Sequence, residues 1–315
     1  MHTLEPELRT LHAEGMIDDA TTSMALARER RDVFSLHPEL RLTLYAGVLL
    51  VMAGVGIVLA RNLDRIGPLA IVLALLVAAA ACAVPAVLSR RAGRPLSVPA
   101  DYLLLLAALL ASAALAYAER QFTLLGSLWS WHLLLLAVVH AAVAYAFGSP
   151  LVLAAALTSL AGWFGAGVSF GDLLPFSYST PALGTRALAC AAVIAGWRHV
   201  DSRAQPDRRF SGVFEHFAAN LAFWGAVAWC LKWPWLAAGL PLLVALAWAS
   251  VRHGLAKGRE VFLVYGILYA ALGICVVVVP RLHGMTLSFG FVLMVVCIAA
   301  ATLWHLRRRL REPAP

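Results

Sequence analysis

Charge is scarce in this sequence: Asp, Glu, Lys and Arg make up 13% of its 315 residues, against 62% hydrophobic. A soluble globular domain averages about 25% charged and about 45–50% apolar residues, so an ordinary soluble fold is excluded. Lysine is nearly missing, with Lys232 and Lys257 the two lysines among 25 basic residues. Cysteine is sparse and scattered. Cys82, Cys190, Cys230, Cys275 and Cys297 each lie in an apolar block, none forms a C-x-x-C, and the nearest two are 22 residues apart. This excludes a disulfide framework or zinc site and leaves small buried hydrophobes. The first 36 residues have no apolar h-region and carry Glu5, Glu7, Glu14, Asp18 and Asp19, so no secretory leader is read there. No G-x-x-x-x-G-K-[ST], H-E-x-x-H, G-x-S-x-G or EF-hand loop occurs. No catalytic residue, metal ligand set or cofactor is therefore assigned, and a membrane-bound enzyme ranks behind other functions.

What the chain does have is long apolar blocks of roughly 17–22 residues, the length that crosses about 30 Å of hydrocarbon at 1.5 Å per residue. They fall at 41–61, 68–89, 102–118, 129–147, 150–170, 182–199, 213–231, 235–252, 260–280 and 285–305. The fold class expected is all-α: a polytopic membrane bundle of about ten transmembrane helices. Gly67-Pro68 opens the second span, because Pro suits a first helical turn. Gly148-Ser149-Pro150 and Trp233-Pro234-Trp235 make tight turns, the second with indoles at headgroup depth. Pro85 is expected to kink the second span.

Ahead of the bundle, residues 1–38 read as a short cytosolic helical hairpin. Leu4, Leu8 and Leu11 share one face of a helix over 4–14, which Gly15 ends at a C′ position. Asp18 or Asp19 then caps a second helix running to about Val33. Two such helices are too small to hold a core alone, so they rest on the membrane surface or on a cytosolic protein partner contacted by residues 1–36. Nucleic acid is not the expected partner, despite the formal charge of +8, because acids interleave with the arginines from Arg28 to Asp32. The bundle spans 39–306, and 307–315 form a basic cytosolic tail.

Placement of the basic residues sets the orientation. With ten spans and the amino terminus in the cytosol, 19 of the 25 fall on the inner side. The outer side keeps Arg61, Arg65, Arg120, Arg186, Lys232 and Arg281. The sixth span is the weak one, interrupted by Arg186, yet omitting it would move the last three basic clusters outside. The expectation is a bacterial inner-membrane protein with both termini cytosolic.

The order Leu8-x-x-Leu11-x-x-x-Gly15-Met16-Ile17-Asp18-Asp19, then a span bearing Gly47 to Gly56 and closing on Ala60-Arg61-Asn62-Leu63-Asp64-Arg65-Ile66-Gly67-Pro68, carries a resemblance. It resembles the bacterial predicted-membrane-protein family called domain of unknown function 2157, over roughly residues 8–125. Tyr117-Ala118-Glu119-Arg120-Gln121-Phe122 looks like that family's polar-aromatic segment, while Leu63 stands where an aromatic is usual. The resemblance implies membrane topology and carries no catalytic or binding residue.

Ionisable residues at membrane depth are the candidate site, because an unpaired charge there costs about 2.5–3.5 kcal/mol. His132 and His140 lie on the fourth span, a proton relay or, as favoured, an imidazole bonded to a neighbouring helix. Glu215, His216 and Asn220 open the seventh span and could line a vestibule, although an acid there also answers the helix dipole. Arg186 and Glu119 bring opposite charges to the outer face, the sharpest transport hypothesis. In the fifth span Ala161, Gly162, Gly165, Ala166, Gly167 and Gly171 permit close helix packing. The pair Gly47/Gly54 repeats the spacing of Gly266/Gly273, a faint internal repeat. Arg198, His199 and Asp201 lead into what reads as a solvated linker containing Ser202, Gln205 and Pro206. Two functions stand: transport or binding of a small solute or lipid, and a scaffold or sensor acting through the hairpin.

Overall fold

The computed structural model describes residues 11–12, 14–16, 18–19, 21–22, 37–62, 67–123, 126–128, 130–165, 180–204 and 210–311. Among these the protein is all-helical. Ten α-helices follow in order: α1 (His37–Asn62), α2 (Pro68–Arg91), α3 (Val98–Phe122), α4 (Trp131–Phe147), α5 (Pro150–Gly165), α6 (Thr180–Ala204), α7 (Ser211–Cys230), α8 (Leu236–Lys257), α9 (Glu260–Val278) and α10 (Met285–Arg311). Each apolar block of the sequence is one of these helices. α2 runs on through Pro85 as a single element.

Among the described residues six helices, fewer than the ten spans expected, are long and apolar enough to cross a membrane: α1, α2, α3, α8, α9 and α10. α4 and α5 are apolar but shorter, at 17 and 16 residues. The exposed surface agrees with lipid as the solvent. Leu49, Leu50, Val77, Val138, Val244, Trp248, Leu268, Phe289 and Ile298 are all open, far more apolar surface than a water-soluble monomer displays.

Short turns make the packing. Gly148, at φ +68°, closes α4 in the left-handed region that glycine enters without steric cost. Ser149 then caps α5, its Oγ accepting the Val152 N–H at 3.1 Å, with Pro150 in the first turn. Consecutive helices pack as hairpins, α2 on α3, α4 on α5, α6 on α7 and α8 on α9. The central core joins Leu104 of α3, Leu153 and Leu157 of α5, Cys190 and Ile194 of α6, and Phe214 of α7. One flank packs Val48 of α1 with Ile71, Leu75 and Leu105. The other packs Phe223 of α7 with Leu243 and Tyr269. α1 and α10 lie at the edges, with Val48 and Val295 their single buried hydrophobic residues among those described.

The glycines expected to draw helices together are partly the wrong ones. A Cβ on Gly162 would meet the Leu133 side chain at an ordinary 3.5 Å, and one on Gly165 would meet nothing within 4 Å. Ala166, Gly167 and Gly171 lie outside the described residues. The faint repeat also dissolves. Gly47 and Gly54 have open space around them, whereas Gly266 and Gly273 press against Ala247, Val251 and Leu243 of α8. A mutual close backbone approach joins α6 and α7 at Gly184 and Gly225.

In the amino-terminal stretch two local expectations hold. Gly15 has φ +73°, its N–H bonds to His12 O, and Met16 N–H bonds to Leu11 O, the paired reversal that ends a helix at glycine. Asp18 accepts the Thr21 N–H at 3.1 Å, which also holds its carboxyl below the usual range. Most of helices 4–14 and 18–33 lies outside the described residues.

Candidate functional site

Gly258 organises the strongest polar cluster. Its φ of +64° closes α8, and Arg259 N–H bonds back to Gly254 O at 2.9 Å. Lys257 and Arg259 thereby stand on either side of a tight reversal into α9. One helix away, Glu215 sits in the second turn of α7 with its side chain 6% exposed. Its two oxygens accept from Arg198 of α6 and from Arg259. Lys257 Nζ lies 3.9 Å from the same carboxylate and His253 Nε2 4.0 Å. Four elements thus converge on one acid. The position is too deep to be a response to the helix dipole, which acts within the first turn.

Three permanent cations face one carboxylate, leaving a surplus of +2 before His253 is counted. Beside the cluster opens a pocket of about 280 Å³, lined by Arg198, Glu215, His253 and Ser250 on its polar side and by Phe223 and Leu246 on its apolar side. Ser250 does not face it unsatisfied, since its hydroxyl donates to Phe262 O at 2.7 Å.

The segment read as solvated linker is the main correction. α6 continues to Ala204, so Asp201 and Ser202 are helical residues rather than loop. Asp201 is buried, accepting from Tyr145 Oη at 2.7 Å, while Trp197 Nε1 donates to that hydroxyl at 3.1 Å. Gln205 and Pro206 lie outside the described residues. Sequence reading saw hydrophilic residues and assigned water. The structure instead shows Asp201 satisfied by α4 and Arg198 by α7, as buried polar groups must be, while His199 and Ser202 are exposed.

At the opposite end, Glu119 and His132 form a contact of 2.8 Å with side chains 14% and 12% exposed. Glu119 also accepts Gly126 N–H at 3.0 Å, tying the α3–α4 connection to the bundle. Arg186 lines a separate pocket of about 340 Å³ with Trp131, Trp163 and Phe164. We expect His132→Leu to lower stability by about 1.5–3 kcal/mol, the value of a hydrogen bond to a charged group. Chemical unfolding of the purified protein in detergent measures this, and an unchanged midpoint would refute it.

The remaining candidates are helix-to-helix fasteners. His140, buried in α4, meets Ser112 Oγ of α3 at 3.0 Å, and Ser112 also donates to Ala108 O. With that hydroxyl hydrogen engaged, Ser112 accepts from His140 Nε2–H. Among the described residues His140 Nδ1 is buried without a hydrogen-bond partner, and none supplies a second link of a relay to it. His216 and Asn220 mesh with Tyr265 and Tyr269 of α9, two pairs each spaced i,i+4. Asn220 accepts from Tyr269 Oη at 2.8 Å and donates to His216 O at 2.8 Å. The hydrogen bonds therefore divide Glu215 from His216 and Asn220, and His132 from His140. The structure groups Glu215 with Arg198, Lys257 and Arg259, which sequence reasoning had counted for topology, and with His253, which it had not singled out. Their signal was present: basic residues bracketing Gly258 and ending α6, near an acid opening α7.

Helices of this apolarity with exposed apolar faces define a polytopic helical membrane protein. Residues 9–153 match the family described as "Predicted membrane protein (DUF2157)". The resemblance read from residues 8–125 is thus borne out and reaches the start of α5, while the Glu215 cluster lies beyond it. No curated protein and no solved structure matches the chain.

Proposed function

We propose that this is a bacterial inner-membrane protein of ten spans, with both termini in the cytosol, that binds a small anionic solute or lipid at its cytosolic end. The observation that carries the reading is the Glu215 cluster, where Arg198, Lys257 and Arg259 surround one buried acid, beside a pocket that Arg198, Glu215 and His253 line. Binding is favoured over conduction because Leu153, Leu157, Cys190, Ile194 and Ala226 are completely buried in the layer between the two polar ends. The basic residues at the ends of α2, α6, α8 and α10 support placing that end inside. Reporter fusions after Arg203 and Arg308 are expected to read cytosolic, and a periplasmic signal at either refutes the ten-span topology.

A second reading, a scaffold or sensor, draws support from the amino-terminal turn. Met16 is 71% exposed at its tip, an apolar residue offered to a partner. A thermal-shift screen of anionic solutes and lipids separates the two. Removal of residues 1–36 should leave ligand-induced stabilisation intact, and its loss on that deletion would move the function to the hairpin.

A further inference from the structure

The pocket beside Glu215 belongs to the site already described, and the Arg186 pocket borders residues 166–179, outside the described chain. The largest cavity is a groove of about 500 Å³. α9 forms its floor, and α8 and α10, which both pack on α9, form its walls. Small residues make it deep, with Gly266, Ala270 and Ala271 along the floor and Ala247 and Ala299 on the walls. Gly266 has no room for a side chain, since a Cβ there would stand 2.8 Å from Ala247 O. Trp248 and Ile298 line the groove while 61% and 59% exposed, so it opens sideways toward lipid.

We propose that this groove holds one anionic phospholipid, with its acyl chain between α8 and α10 and its headgroup at Arg252. Width decides against a helix as the occupant. The lining runs from Val244 to Val251, from Gly266 to Ile274 and from Val295 to Leu306, roughly 10–16 Å at 1.5 Å per residue. Spread over that length, the volume gives a cross-section of roughly 30–50 Å², whereas a helix 10 Å across needs about 80 Å². A hydrocarbon chain, whose carbons touch their neighbours at about 4 Å, fits with room for a second. Charge selects the headgroup. The lining itself carries none. Directly past Val251, however, the Arg252 guanidinium stands 5.0 Å from the ring centroid of Trp248, which holds a cation on the rim. Among the described residues Arg252 has no acidic partner. Arg307, next to Leu306, is by contrast neutralised by Glu260 at 3.1 Å. An arginine stacked on a tryptophan at the end of an apolar groove suits an anionic headgroup, as basic sites between helices do. This site is separate from the Glu215 pocket, because Arg252 and His253 are consecutive on α8 and point about 100° apart.

The test uses the full-length protein in detergent, with bound lipid counted by native mass spectrometry after addition of phosphatidylglycerol or phosphatidylcholine. One phosphatidylglycerol per chain is expected, held about tenfold more tightly than phosphatidylcholine, the effect of one charge-assisted contact. Arg252→Gln should abolish that preference. Arg308→Gln should keep it, because Arg308 stacks on Trp304 and neither residue lines the groove. Ala299→Trp fills the groove and should lose the lipid. Ala270→Leu, a smaller insertion on the floor, serves the same purpose if the unfolding midpoint shows the first variant to be misfolded. Equal binding of the two lipids by the parent, or a preference that survives Arg252→Gln, overturns the headgroup assignment. Phosphatidylglycerol retained by the groove-filled variants overturns the site itself. A parent dimer that Ala299→Trp splits into monomers overturns lipid in favour of a second copy of the chain.

Discussion

Glu215→Ala unfolds at a lower denaturant concentration than the parent protein, by an expected 2–3 kcal/mol or so, the largest loss from any single polar side chain here. The carboxylate is 6% exposed and stands among Arg198, Lys257, Arg259 and His253. Removing it leaves three cations from three elements repelling one another. Breaking a fully buried pair costs about 3–5 kcal/mol. The value here is smaller because the Arg198, Arg259 and Lys257 side chains are 36%, 41% and 49% exposed and regain water. Glu215→Gln should lose less, since its amide oxygen still accepts. The double variant Arg198→Met/Glu215→Leu should recover part of the loss, as apolar replacement of a buried pair commonly does. A Glu215→Ala midpoint equal to the parent's would show that the cluster adds nothing to stability.

The second large effect is expected at a residue without any chemistry. Gly225→Val should destabilise by at least about 1–3 kcal/mol, the cost of overpacking. A Cβ at Gly225 would lie 2.8 Å from Gly184 O and 2.7 Å from Leu188 Cγ, and one at Gly184 2.9 Å from Gly225 O. Backbone cannot yield as a flexible side-chain tip can, so α6 and α7 must separate. That movement also pulls Trp229 Nε1 from Thr185 Oγ1, now 3.2 Å away, and loosens Arg198 against Glu215. Gly54→Ala is the control. Its Cβ meets nothing within 4 Å, and a helical Gly-to-Ala change is neutral or mildly stabilising. Unfolding in detergent distinguishes the pair, and equal stability of the two variants would refute the close approach.

The legible parts were those governed by local rules. Apolar length defined ten helices, and Gly15, Gly67-Pro68 and Gly148-Ser149-Pro150 marked ends that the structure reproduces. Asp18 as a cap was readable because an N-cap needs nothing beyond three following residues. Asp201 was misread for the opposite reason. Its partner Tyr145 is 56 residues away, and nothing near Asp201 announces it. The candidate site was half legible. Glu215 was singled out, but His216 and Asn220 were grouped with it by sequence proximity, whereas neighbouring helical residues point about 100° apart. They serve a different seam, against Tyr265 and Tyr269.

By itself, then, the sequence determined the solvent of this protein, its helical class and the turns that glycine and proline mark. Those follow from composition, the rise per residue and turn chemistry, all of which act over a few neighbours. Tertiary structure alone decided which side chains meet. Scarce charges proved informative only once packing brought Arg198, Glu215, Lys257 and Arg259 from four elements to one place. Small residues likewise matter only where another backbone arrives, as at Gly184 and Gly225. Burial in lipid leaves a polar group no water, so each must find a partner. The identity of that partner depends on how helices cross, which no local pattern records.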